Sequence, residues 1–207
     1  MTIVFDLDYT LLDAGKLKNA LALSLSDCGV PEERFWQTYE HSSRVSDKIC
    51  DYDPARHVEH LSNDLLTCDA PAAIRRIDAT VARTSEFLYP GATALLERLR
   101  ADGARLVLLT QGNVGWQKRK VAASGLASYF DELLFVAEEK EAAVEKLRML
   151  DQPVTFVNDN GREIDRLQKL LPDMRMIAVK GPKPLPTDPA VPVCADFEDV
   201  YKAITRR

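Results

Sequence analysis

Thr2-Ile-Val-Phe-Asp6-Leu-Asp8-Tyr-Thr10-Leu-Leu-Asp13 opens the chain with a short apolar, β-prone run that stops at two carboxylates one residue apart. Residues 2–5 suit a strand covered on both faces, as in parallel sheets, and ligands of open α/β sheets gather beyond the carboxyl ends of such strands. On extended backbone the side chains at i and i+2 point the same way, so Asp6 and Asp8 can share one cleft. Two carboxylates that close repel each other unless a cation or a shared proton intervenes. A calcium loop is excluded, because Leu11 and Leu12 stand where it needs an oxygen ligand and a glycine.

Outward from this strand the chain divides into two kinds of segment. From Asp13 to about Tyr89 the apolar spacing is helical throughout. It predicts helices over 16–28, closed by Gly29, then from Pro31 to about Ser46, from Pro54 to Leu66, and from Pro71 through Phe87. After Tyr89-Pro90-Gly91 and a helix through Leu95, Leu96 and Leu99, strands and helices alternate. The strands are Arg105–Leu109, Leu133–Val136, Val154–Val157 and Met176–Val179. Between them lie helices to Ser124, over Glu139–Leu150 and over Arg162–Leu171. Repeated units of this length specify a parallel sheet with helices on both faces. The expected architecture is an α/β, Rossmann-like core from residues 1–13 and 89–207, with a small all-helical domain, 14–88, inserted after the first strand. The tail from Gly181 to Pro192, with five prolines, reads as an ordered surface loop, and Asp196 as the N-cap of a closing helix.

Composition narrows the function. With 207 residues, 46% hydrophobic and 29% charged, the chain has room for one sizeable core and a small accessory module. A formal net charge of −5 argues against nucleic acid or an anionic membrane as partner, so an anionic substrate would need a local positive site. No apolar run approaches membrane-spanning length, and a strand starting at residue 2 leaves no room for a signal peptide. Cys28, Cys50, Cys68 and Cys194 lie far apart with no Cys-x-x-Cys pair, which points to four free thiols in a reducing cytoplasm.

Chemistry-bearing residues recur at the strand ends. Thr110-Gln111-Gly112-Asn113 follows the 105–109 strand, where a hydroxyl and backbone amides before a helix favour an anion. Lys140 falls just beyond the 133–136 strand and is preferred to Lys146, almost two turns further along the helix. Asn158-Asp159-Asn160-Gly161-Arg162-Glu163 places two acids four apart after the 154–157 strand, with Asp165 as an alternative partner, and such hard oxygens suit Mg²⁺.

Taken in order, these stretches resemble the four motifs of the haloacid dehalogenase (HAD) superfamily, most of whose members are Mg²⁺-dependent phosphohydrolases. The match covers about residues 2–13 and 89–180, and the helical insert is similar to the cap many members carry. The resemblance implies Asp6 as nucleophile and Asp8 as general acid and base. It further implies Thr110 and Lys140 as phosphoryl-oxygen ligands, supported by Gln111 and Gly112. Mg²⁺ would be bound by Asp6, Asp159 and Asp8 through its backbone carbonyl, with Glu163 as the further acid. Tyr9 and Asn158 replace common glycines, and Tyr9 becomes a candidate contact to the leaving group. Gln117, Lys120, Ser124, Gly125, Leu126, Phe130 and Asp131 also resemble family stretches and read as structural. The dehalogenases of the family lack an acid two residues after the nucleophile, so Asp8 favours a phosphate ester. The implied partner is a small phosphorylated metabolite, and the implied state a monomer or homodimer. Rival readings are a phosphomutase and a catalytically weak binding or regulatory module. Cap candidates for substrate contact are Arg44, Lys48, Arg56, His57 and His60.

Overall fold

The computed structural model describes residues 1–206 apart from 47, 48, 51 and 63–65, and only the backbone of 43–46, 49–50 and 62. Its centre is β1 (Thr2–Phe5), whose four residues are all buried. It pairs in parallel with β4 (Arg105–Gln111) on one side and β6 (Val154–Asn158) on the other. Beyond them lie β5 (Glu132–Val136), β7 (Arg175–Val179) and β8 (Val193–Cys194), giving the order β5-β4-β1-β6-β7-β8, all parallel.

The alternation of side chains along each strand builds two separate cores. Ile3, Phe5, Leu106, Leu108 and Val157 face one layer, packed with Leu96 and Leu99 of α5 (Ala92–Ala101), Val121 of α6 (Val114–Ser124) and Val200 of α9 (Phe197–Thr205). Val4, Val107, Leu109 and Phe156 face the other, against Val144 and Leu147 of α7 (Val144–Arg148) and Ile164 and Leu167 of α8 (Gly161–Leu170). Burying both faces is what makes the strands read as continuous apolar runs.

Residues 14–88 hold α1 (Ala14–Ser26), α2 (Glu32–Ser43), α3 (Pro54–Ser62) and α4 (Ala70–Val81). The expected all-helical insert needs correction, because β2 (Arg44–Ser46) and β3 (Ile49–Cys50) form a small antiparallel pair where a helix was expected to continue. The two connections between this segment and the sheet run side by side: the Asp13 amide donates to the Phe87 carbonyl at 2.8 Å and the Tyr89 amide to the Leu11 carbonyl at 3.0 Å. Residues 63–65 of the expected third helix lie outside the described residues, and its expected last residue, Leu66, is not helical. A 3₁₀ turn, Thr84–Phe87, replaces the last part of the fourth.

Three further expectations change. The helix expected over 139–150 is a 3₁₀ turn, Lys140–Ala143, followed by the short α7. The strand expected to end at Leu109 continues to Gln111, because its last residues pair with Phe135 and Val136. Cys28 and Cys68 form a disulfide, so they are not free thiols, while Cys194 is a buried free thiol. Sequence spacing could not show this, since the pairing depends on the end of α1 meeting the approach to α4, where the Thr67 amide donates to the Cys28 carbonyl at 2.9 Å. Among the described residues no helix is long and apolar enough to cross a membrane.

Candidate active site

The carboxyl ends of β1, β4, β5 and β6 converge with α1 on a cavity of about 240 Å³, lined among others by Asp6, Asp8, Tyr9, Thr110, Gln111, Lys140, Asp159 and Glu163. Asp6, 5% exposed, lies where β1 ends. Its Oδ1 accepts from Lys140 Nζ at 2.6 Å and its Oδ2 from Thr10 Oγ1 at 3.2 Å. Thr10 Oγ1 in turn accepts from the Asp159 amide at 3.1 Å, stitching the first loop to the loop after β6. Burial pushes the Asp6 carboxyl up to about 6 even against the pull of Lys140.

Lys140 is 2% exposed and bridges Asp6 to Glu163 Oε2, also at 2.6 Å. Burial would neutralise an isolated ammonium, but these two carboxylates hold it charged and above its ordinary value. Lys146 is not among the cavity-lining residues. The short 3₁₀ turn accounts for the difference, since it aims its first side chain back over the strand ends. Glu163 further accepts from Asn158 Nδ2 at 2.9 Å and Asn160 Nδ2 at 2.8 Å. Against the effect of burial, Lys140 and these amides hold its carboxyl below the usual range. Asn158, where the family resemblance led one to expect glycine, thus supplies a donor. Asp165 belongs elsewhere: it accepts from the Thr187 amide at 2.9 Å and anchors the proline-rich loop.

Asp8 has partners that the linear motifs did not reveal. Lys120 Nζ, 4% exposed as a residue, reaches its two carboxylate oxygens at 2.5 and 2.6 Å, and Gln117 Nε2 reaches Oδ2 at 3.0 Å. Burial favours the neutral acid, but Lys120 and Gln117 overcome it and hold the Asp8 carboxyl below its ordinary value. Gln117 and Lys120 were read as structural; in the molecule they contact the second acid of the site. Their spacing of three on one helix, one turn after Thr110-Gln111-Gly112-Asn113, was the available signal.

Gly112 and the expected metal ligands are placed as follows. Gly112 does not line the cavity, and its N–H donates to the Val136 carbonyl at 2.9 Å instead of pointing at a ligand. Its φ of 121° is the reason for glycine at that turn. Of the expected metal set, the Asp6 and Asp159 side chains with the Asp8 backbone carbonyl and Glu163 as the further acid, all four residues line the cavity, and among the described residues no group of three or more His, Cys, Asp or Glu side chains is placed to hold an ion by itself. Lys140 stands between Asp6 and Glu163, and Lys120 occupies Asp8.

What the cavity does hold is a set of unsatisfied atoms. Thr110 Oγ1, Gln111 Oε1, Gln117 Oε1 and Asp159 Oδ2 are buried without a hydrogen-bond partner, and all four residues line the cavity. Each such atom costs on the order of 1–3 kcal/mol, so a cluster of them marks a place where a ligand completes the bonding. Burial and the neighbouring Asp6 charge raise the Asp159 carboxyl to about 7. A pair of repelling carboxylates with an orphaned oxygen fits Mg²⁺, which usually takes one or two carboxylates and fills its other positions with water and phosphate oxygens.

The candidate cap contacts are placed differently from expectation. His57 is fully buried, sharing hydrogen bonds with Tyr52 Oη at 3.0 Å and Thr38 Oγ1 at 2.9 Å, and burial lowers it to about 4. His60 shares one with Ser42 Oγ at 2.8 Å. Neither histidine, nor Arg56, lines the cavity. Lys48 and the Arg44 side chain lie outside the described residues. Tyr9 does line it, with a left-handed φ of 63° that explains why glycine is common at that position.

Residues 1–168 match the model of the haloacid dehalogenase-like hydrolases, and the chain belongs to that family. Its fold is similar to that of a Burkholderia xenovorans protein described as a haloacid dehalogenase-like hydrolase (22% identity, 97% of this chain and 94% of that one, TM-score 0.76). It is also similar to the L-2-haloacid dehalogenase of Xanthobacter autotrophicus with chloropropionic acid covalently bound (16%, 98% and 97%, TM-score 0.67). A third similar structure is a predicted phosphoglycolate phosphatase of Haemophilus somnus (20%, 99% and 97%, TM-score 0.60). No functionally curated protein is significantly similar in sequence.

Proposed function

We propose that this hydrolase is a Mg²⁺-dependent phosphatase that cleaves a small phosphomonoester through an aspartyl-phosphate on Asp6. The observation that carries this reading is the second acid. Asp8 shares the cavity with Asp6 and is joined to a proton source, the Lys120 ammonium, at hydrogen-bond distance. An alkoxide leaving group needs such a proton and a departing halide does not.

In the first step an Asp6 oxygen attacks phosphorus, the Asp6 O–P bond forms and the bond to the ester oxygen breaks. The departing oxygen takes a proton from the Asp8–Lys120 pair. In the second step water attacks phosphorus, the Asp6 O–P bond breaks, and the water's proton returns to that pair. Thr110 Oγ1 donates to a phosphoryl oxygen, and Lys140 offsets the negative charge gathered around Asp6 and Glu163. Asp6 and Asp159 would hold Mg²⁺, which would supply the electrostatic attraction that lets a phosphate dianion approach a carboxylate. The setting we propose is the cytoplasm; the Cys28–Cys68 bond is the feature that a location experiment should weigh against it.

Dehalogenation is the rival reading, since the same nucleophile serves a protein of similar fold. The test is to assay the purified protein with p-nitrophenyl phosphate in Mg²⁺ and in EDTA, and with 2-chloropropionate. Phosphate release that disappears in EDTA supports the proposal. Chloride release without phosphate release overturns it.

A further inference from the structure

The wall of the cavity on the α1 side carries a further ammonium, Lys18, whose charge helps lower the Asp8 carboxyl from a distance without pairing with it. Lys18 Nζ donates to Tyr9 Oη at 3.1 Å and lies 5.2 and 5.5 Å from the ring centres of Tyr9 and Tyr39. The other buried cations of the cavity are spoken for, Lys140 by Asp6 and Glu163 and Lys120 by Asp8. Lys183 is exposed at the rim. Lys18 is half-buried, lines the cavity, and has no carboxylate within 4 Å among the described residues. A phenol and two neighbouring rings hold the ammonium in place without pairing with its charge, and the longer-range pull of Asp8 leaves its donors open to an incoming anion.

The surroundings restrict what that anion is attached to. Tyr39 stacks on Tyr52 at 4.5 Å, and Tyr52 meets Trp116 edge-on at 4.9 Å, so the wall beside Lys18 is a fixed aromatic surface. Tyr52 is itself pinned from behind by buried His57. A cavity of about 240 Å³ is smaller than the usual range for drug-sized ligands, and the phosphoryl end must occupy part of it. What remains fits a few carbons ending in one charged group.

We propose that Lys18, presented by Tyr9 and Tyr39, is a specificity-determining residue that binds a carboxylate on the leaving group, making the substrate a phosphomonoester of a small hydroxy acid. This rests on the phosphatase reading for its phosphoryl end but not for its carboxylate end. Tyr9 then has a reason to occupy a strained position: its hydroxyl sets the height of the ammonium above the ring wall.

The experiment compares two pairs of esters that differ in a carboxylate, 3-phosphoglycerate against glycerol 3-phosphate and phosphoserine against phosphoethanolamine, with Mg²⁺ present. In parallel, calorimetry measures binding of glycerate, which has the carboxylate and no phosphate. A charge-assisted contact predicts a kcat/KM preference of roughly 10- to 100-fold for the carboxylate member of at least one pair. In Lys18→Met that ratio falls to within about threefold of unity, chiefly through KM, and glycerate binding weakens by a similar factor; Lys18→Arg retains both. Equal turnover of both members of each pair by the wild type overturns the inference, as does a Lys18→Met defect of the same size on both. If no ester is hydrolysed at all, the phosphatase reading fails alone. Lys18-dependent glycerate binding would then uphold the carboxylate site, and its absence would end that too.

Discussion

Lys140 and Lys120 divide the two acids of the first loop between them, one ammonium to each, and this division sets the chemistry available to each carboxylate. Asp6 keeps a raised affinity for protons despite Lys140, because burial outweighs a single shared cation. Replacing it by Asn keeps the shape and leaves Lys140 paired with Glu163. Turnover of p-nitrophenyl phosphate should fall on the order of 10⁴-fold or more, the scale seen when a nucleophile is lost, while the melting temperature holds or rises. An active Asp6→Asn protein would remove the nucleophile assignment. Asp8 is the opposite case, held ionised against burial by Lys120 and Gln117. In Lys120→Met burial acts with that ammonium gone, so the Asp8 carboxyl rises and the limb of the kcat/KM pH profile that reports the proton donor should move. A profile unmoved in this variant would separate Lys120 from the chemistry.

At the scale of elements, the loop after β6 and the proline-rich loop after β7 are built around one another. A Cβ on Gly161 would lie 2.1 Å from the carbonyl carbon of Leu185, and the Gly161 amide donates to the Pro184 carbonyl at 2.9 Å. Gly181, on the same loop, is placed so that a Cβ would meet Asp159 Oδ2 at 3.0 Å. Gly161→Ala must therefore displace backbone, at a cost of about 1–3 kcal/mol typical of overpacking, which is a fall of roughly 2–12 °C in melting temperature for a chain this long. Because the displaced loop borders Asp159, half-saturation by Mg²⁺ should shift to higher concentration in the same variant. A thermal melt and a Mg²⁺ titration of activity check the two parts separately.

For the molecule as a whole, the site makes stability depend on pH in a defined direction. Asp159 and Asp6 titrate at about 7 and about 6 in the folded chain against an ordinary value of 3.8. Between those values the folded state holds protons that the unfolded chain has lost, so stability falls as pH rises through the window and levels off above it. Asp8 and Glu163, both lowered, act with the opposite sign and only below about pH 5. In EDTA the melting temperature should therefore decline by at least about 5 °C from pH 5 to pH 8. Mg²⁺ should restore it most at the upper end, where it competes with no proton. Calorimetric scans across that range with and without the ion test both statements; an unchanged melting temperature would mean that the two acids are not the metal's ligands.

Much of this was readable in the residues. The strands β1, β4, β5, β6 and β7 announce themselves as apolar runs, since a parallel sheet buries both faces and leaves no alternation to confuse. Asp6, Asp8, Thr110, Lys140 and Asp159 were legible because each follows such a run, and strand ends are where an open sheet gathers its ligands. β8 was not legible, because two residues at an edge carry no pattern, nor was the break of helix 139–150 into a 3₁₀ turn.

The linear order of residues by itself determined the layered core, the inserted segment and the acid that opens the site, because periodicity and turn chemistry act over a few neighbours. Only the tertiary structure decided which cation each acid receives, that Cys28 meets Cys68, that Asp165 serves a loop, and that Lys18 stands between the Tyr9 and Tyr39 rings with no carboxylate within 4 Å among the described residues. Apart from the contact of Lys18 with Tyr9, those are choices between residues about twenty to more than a hundred positions apart, made by the packing of helices onto the sheet, which no local stretch encodes.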